Sequence, residues 1–199
     1  MKKQLLSLVI MLLCTLTIYA QKIKIDQIGP DGRHQVMTSL KNFSLEGYNY
    51  SMTLMVYESP NDVDWRLVVS SYNNIPNDNI ILLKLKNGQT INLVVDSLKE
   101  ESYKTSSVTY NSMYVGVTQP GVIKRYFVSE SCVKTEELDS IEKYGISKIR
   151  LGNSNGYHEA SWSDNQLGKY LAKCRKKIKE SLQVSEEQKK KKGSIYDGF

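Results

Sequence analysis

The sequence predicts an α+β fold: a curved antiparallel β-sheet of about eight strands, with a short helix and a long C-terminal helix packed on one face. Three observations carry that expectation. Asn79 to Val95 holds two apolar runs hinged on Asn87-Gly88, the strongest short-range hairpin signal. Tyr48, Tyr50, Met52, Leu54 and Val56 alternate with polar residues, as do Trp65, Leu67 and Val69, which is the period of half-buried strands. Leu167, Tyr170, Leu171, Cys174, Ile178 and Leu182 recur at helical spacing and make one apolar stripe.

The first twenty residues have the form of an export signal. Lys2 and Lys3 precede the apolar run Leu5 to Ile18, and the small residue Ala20 marks a cleavage point. The run is shorter than the ~20 residues that span a bilayer, so cleavage near Ala20 is expected. That implies an exported, periplasmic or extracellular chain with no transmembrane segment after cleavage. Residues 21–183 then form one domain, and the lysine-rich 184–199 a mobile tail.

Lys22 to Ile28 alternates and reads as a first strand, closed by the turn cluster Gly29-Pro30-Asp31-Gly32. Between Arg33 and Leu45 the pattern is looser, with Val36, Leu40, Phe43 and Leu45 expected to point inward. Ser59 to Asp62 separates the two alternating strands that follow.

The central hairpin has two competing registers. A two-residue Asn87-Gly88 loop would mix charged and apolar side chains on both faces. A three-residue loop, with Gly88 left-handed as a bulge, pairs Leu83 with Ile91 and Ile81 with Leu93. It gathers Ile81, Leu83, Leu85, Ile91, Leu93 and Val95 on one face. A one-residue slip turns every side chain over, so the segregating register is expected.

Asp96 to Ser107 is polar and reads as a short helix or an extended loop. Val108 to Thr118 is a strand, Gln119-Pro120-Gly121-Val122 suits a type II turn, and Val122 to Ser129 returns from it. Thr135 is a helix N-cap candidate before Glu136 and Glu137, and Gly145 a C-terminal stop. Strands at Ile146–Leu151 and Tyr157–Trp162 follow, joined by a Gly/Asn/Ser turn. Ser163 and Gln166 then fit a capping box opening the final helix.

The formal charge of +6 would suggest nucleic acid, but residues 21–168 hold 15 basic against 17 acidic side chains. The excess is C-terminal, not interleaved with stacking groups on a folded surface, so no nucleic-acid partner is expected. After cleavage, Cys132 and Cys174 remain, either bridged or as buried thiols; Cys174 lies on the apolar helix stripe, which favours thiols.

No motif assigns chemistry. His158-Glu159 lacks the second histidine of a helical zinc signature, because position 162 is Trp, and His34 is remote. Asp62 and Asp64 lack the rest of a calcium loop. There is no Gly-x-Ser-x-Gly elbow and no phosphate-cradling glycine loop. No metal and no cofactor is expected. Aromatic residues supply one candidate surface: Tyr48, Tyr50, Trp65, Tyr110 and Tyr114 could form a platform for sugar or peptide, against the ordinary reading in which strand tyrosines pack in the sheet. The helix lysines supply another: Lys169, Lys173, Lys176 and Lys177, with Arg175 beside them, could meet an anionic surface, against the ordinary reading of a solvated face.

The functional expectation is a non-enzymatic binding or interaction module of the cell envelope, its partner a protein, peptide or carbohydrate. Two alternatives stand beside it. One is a small secreted hydrolase whose site assembles from sequence-distant residues. The other is anionic-surface binding through the C-terminal lysines.

Overall fold

The computed structural model describes the backbone of residues 22–71, 80–111, 114–153 and 156–196, and their side chains except at 101–125, 153 and 186–196. The expected export signal lies outside the described residues. The fold is α+β. The ten strands among the described residues are β1 (Ile23–Ile28), β2 (His34–Thr38), β3 (Lys41–Leu45), β4 (Tyr48–Ser59), β5 (Asp62–Ser71), β6 (Ile80–Leu85), β7 (Thr90–Asn111), β8 (Tyr114–Cys132), β9 (Ile146–Asn153) and β10 (Gly156–Ser161). Helix α1 (Thr135–Tyr144) lies between β8 and β9, and α2 (Gln166–Tyr196) closes the chain. All pairings are antiparallel, in the order β1-β2-β4-β5-β8-β7-β6-β9-β10, with β3 also paired to β4.

The central hairpin takes the segregating register. Leu83 faces Ile91 and Ile81 faces Leu93. The Leu85 amide donates to the Gln89 carbonyl at 2.8 Å, and Gly88 carries φ +89°, where a residue without Cβ is needed. Ile81, Leu83, Leu85, Ile91, Leu93 and Val95 all enter the core.

That core lies between one sheet face and the helices. The stripe Leu167, Leu171, Cys174, Ile178 and Leu182 packs against Met52, Leu54, Val56, Leu67 and Val69 from the sheet, with Leu138 and Ile141 from α1 in the same cluster. Each fully buried aliphatic side chain stabilises by about 1.5–3 kcal/mol. This is what holds a lysine-rich helix on the sheet.

Strand β7 is shared between two limbs of the sheet. Thr90 to Val94 pairs with β6, and from Val95 onward the ladder passes to β8. The handover occurs at a β-bulge, since Val95 faces Ser131 while Ser97 faces Glu130. Asp96 is the extra residue. Its Oδ2 accepts the Cys132 amide at 2.9 Å and Arg66 Nη1 at 2.6 Å, filling the gap that the bulge leaves in the ladder.

Several local expectations are corrected. Asp96–Ser107 is neither helix nor loop but part of β7. Pro120 and Gly121 make no reversal: Thr105 faces Val122 and Ser107 faces Gln119, so the pair forms a bulge within β8. Proline can sit in a strand where the ladder already skips a donor. In β1 a register shift between Ile23 and Ile25 sends them to opposite faces, against the simple alternation expected there. Leu40 is 48% exposed, because it falls between β2 and β3, two strands rather than one loose segment.

The helix starts also differ. Lys134, not Thr135, precedes α1, and its amide donates to the Glu137 carboxylate at 2.8 Å. Asn165, not Ser163, opens α2: its carbonyl accepts the Lys169 amide at 3.0 Å and its side chain accepts the Ile146 amide at 2.9 Å. Gly145 does end α1, with φ +75°, and a Cβ there would lie 2.2 Å from the Asn165 side chain. Helix α2 continues to Tyr196, through most of the segment expected to be a tail. Both cysteines are free; Cys174 is buried as expected, whereas Cys132 is exposed.

Candidate ligand trough on the helix-free sheet face

The strands that bury one face under α2 present the alternate residues on the other. Val36, Val56, Leu67 and Val69 belong to the helix-side core, so their neighbours Met37, Met55, Val68 and Ser70 point away from it. Strand β8 continues the row, with Val128 opposite Ser70 and Glu130 opposite Val68.

These side chains line two cavities with shared walls. The larger, about 680 Å³, is lined by Leu40, Asn42, Asn49, Ser51, Ser70 and Tyr126 among others. No charged side chain contributes to its described lining. The smaller, about 290 Å³, shares Leu40, Ser70 and Tyr126 and adds Met37, Met55, Val68 and Val128. Met55 and Val68 form its floor, at 2% and 4% exposure. The Gln35 amide nitrogen contacts Met55 Sδ at 3.0 Å, and at the far end Lys99 pairs with Glu130 at 3.3 Å, while the Tyr57 hydroxyl donates to the other Glu130 oxygen at 3.4 Å. Burial, followed by the charge of Glu130, pushes the Tyr57 phenol up, so it stays protonated as a donor. The result is one trough, neutral and amide-rich at one end, apolar and thioether-lined at the other.

The three described aromatic candidates, Tyr48, Tyr50 and Trp65, do not come together on one exposed surface. Trp65 is buried in the core under α2, with the Arg175 guanidinium 5.9 Å from its ring centre. Tyr50 is also buried, its hydroxyl 2.5 Å from His158 Nδ1, and burial pushes the phenol up to about 12. Only Tyr48 is well exposed, stacked on the His158 ring at 4.1 Å. Tyr110 and Tyr114 lie on β7 and β8, and their side chains fall outside the described residues. The three described rings take separate roles because Trp65 lies six ladder positions from the Tyr50 end of the β4–β5 pair.

Tyr48 and Tyr50 instead join a seam between the β3–β4 hairpin and β10. Phe43 stacks with Tyr50 and meets Trp162 edge-on, and Glu46 accepts the Glu159 amide at 3.4 Å. Glu46 holds a positive φ in the two-residue turn it shares with Gly47. The sheet thus curls until its far limb touches β3 through side chains, yet stays open.

The lysine candidates also separate. Lys169 and Lys173 share a second surface cavity with Lys41. Lys177 pairs with Glu180 at 2.7 Å, and Lys176 is exposed on the helix. Arg175 is not on the basic face: it is buried, bonding Asp139 at 2.6 Å and Glu142 at 3.2 Å of α1.

Two polar constellations resemble catalytic sites but lack the required order. His34 Nε2 lies 2.6 Å from Asp26 Oδ1, its Nδ1 is 3.5 Å from Glu58, and the Ser181 hydroxyl donates to Asp26 Oδ2 at 2.6 Å. The serine therefore bonds the carboxylate rather than the imidazole, so the Ser–His contact of a triad is missing. Burial acts to raise the Asp26 carboxyl, but the bonds from Ser181 and His34 outweigh it and hold it below the usual range. Cys132 sits beside Asp64, Arg66 and Asp96; partial burial, then the Asp64 charge, pushes its thiol up, against thiolate chemistry. Among the described residues no group of three or more His, Cys, Asp or Glu side chains could hold a metal ion. No described helix is long and apolar enough to cross a membrane.

No family model matches the chain, and no curated protein or solved structure matches it significantly.

The trough was missed in the sequence because its floor looks like the polar phase of the strands. Met55 and Val68 interrupt the polar residues of β4 and β5, and that double-sided apolar character was the available signal.

Proposed function

We propose that this protein is a non-enzymatic binding module, exported to the cell envelope, that holds an extended peptide segment in the trough. The observation that carries the reading is the trough's division of labour. Asn42, Asn49, Ser51 and Ser70 offer uncharged donors and acceptors matched to peptide groups. Met37 and Met55, with Val68 and Val128, offer an adaptable apolar floor for one or two ligand side chains. The neutral lining of the larger cavity, with Lys99 and Glu130 paired to each other at the far end of the smaller one, supports an uncharged segment over a charged one. The absence of a paired acid and base among the described lining residues of the larger cavity supports holding over cleaving.

The test is selection of the full chain, without its leader, against displayed peptides and against a glycan array. Peptides with an apolar residue flanked by small polar ones are expected to be retained. Ser70→Trp fills the wall common to both cavities and should weaken the selected peptide at least about tenfold with the fold intact by circular dichroism. Unchanged affinity in that variant, or retention of glycans alone, would overturn the reading.

A further inference from the structure

We infer that the cavity between β3 and the first turns of α2 is a second binding site, for a phosphate ester. It is about 420 Å³, lined by Ser39, Leu40, Lys41, Gln166, Lys169, Tyr170 and Lys173. Three of these seven side chains are cationic and none is anionic. Lys169 and Lys173 are one helical turn apart, a like-charge spacing that destabilises an isolated helix. Lys41 reaches the same space from the strand, its Nζ 5.6 Å from the centre of the Tyr170 ring. That ring is fixed in turn, since its hydroxyl donates to the Ser39 carbonyl.

Several cations of the folded sheet and helices have counter-charges nearby. Arg66 bonds Asp64 and Asp96, Arg175 bonds Asp139 and Glu142, Lys148 and Arg150 share Glu159, and Lys177 has Glu180. Lys41, Lys169 and Lys173 have no carboxylate within salt-bridge distance among the described residues. Asp164, the acid just ahead of the helix, accepts instead from Gln166 at 2.6 Å. Three positive charges converge on one hollow at the helix N-terminal end, where the backbone dipole adds positive potential. A multiply charged anion relieves that repulsion. Leu40 and the Tyr170 ring give the hollow an apolar wall, which suits an ester carrying an organic group rather than a bare ion. The site is independent of the trough: the two have only Leu40 in common.

Titration of the full chain with phenyl phosphate, and co-sedimentation with phosphatidylcholine vesicles with and without phosphatidic acid, separate a soluble phosphate ester from a lipid headgroup. Lys169→Gln/Lys173→Gln should weaken binding at least about tenfold, whereas the charge-matched Lys176→Gln/Lys179→Gln should change it less than about twofold. All four lysines are exposed, so both variants should melt like the parent. Phenyl phosphate binding with that residue dependence assigns the soluble source, and binding only to phosphatidic acid vesicles with the same dependence assigns the lipid. Equal loss in the two double variants, or binding of neither probe, would overturn the site.

Discussion

The Tyr50 hydroxyl and His158 Nδ1 lie 2.5 Å apart although 108 residues separate them in the chain. The pair joins the β3–β4 hairpin to β10, and Tyr48 stacks on the other side of the same imidazole.

Tyr50→Phe and His158→Ala should therefore be non-additive. Each single change is expected to cost about 1 kcal/mol or more through the lost bond, and a double-mutant cycle in urea should return a coupling of about 0.5–3 kcal/mol. Burial of Tyr50, followed by the charges of Tyr48 and Glu46, also sets an alkaline limit. The phenol is raised from its ordinary value of about 10 to about 12, so the fold favours the protonated form. Its contribution is complete below the ordinary value and is lost as pH rises through the folded one. Stability should fall between those two values, and Tyr50→Phe should remove that part of the slope.

Asp26 gives the acid counterpart. Its carboxyl is held low against burial by Ser181 and His34. Its contribution is present above the ordinary aspartate range and is lost as pH falls through the lower folded value. Asp26→Asn should flatten the acid limb of the stability–pH curve and loosen β1 from α2, read as faster amide exchange in β1.

At the β7 bulge, Asp96→Ala leaves the Cys132 amide and one arm of Arg66 without their acceptor. A loss of about 1–3 kcal/mol in thermal or urea unfolding is expected. Asp96→Asn, which keeps an acceptor oxygen, should cost less.

Arg175 predicts an asymmetry between α1 and α2. Removing both acids in Asp139→Ala/Glu142→Ala strands a buried guanidinium and should cost about 3 kcal/mol, whereas Arg175→Met, which removes the charge and keeps the packing, should cost less. Equal losses would show that the acids act through exposed helix charge alone.

What the sequence revealed was whatever one period could report. The Leu83–Ile91 register followed from the segregation of faces, and the α2 stripe from helical spacing. Asp96 to Ser107 was opaque because a strand paired on a polar face shows no apolar alternation. Pro120-Gly121 carries the same letters in a turn and in a bulge, and only the partner strand decides between them. Arg175 looked like its lysine neighbours until α1 placed Asp139 and Glu142 against it. The trough needs seven strands in register to exist, and the Lys41–Lys169–Lys173 hollow needs β3 to reach the helix. Pairings of this kind have no local trace in the chain.

The meeting of the β3–β4 hairpin and β10 without a backbone ladder between them has a dynamic consequence. The two limbs can part like the lips of a purse without any ladder bond breaking, so backbone amides other than that of Glu159 would stay protected while the gap opens. Ring-flip rates of Phe43 and Tyr50, not hydrogen exchange, are where such breathing would be recorded.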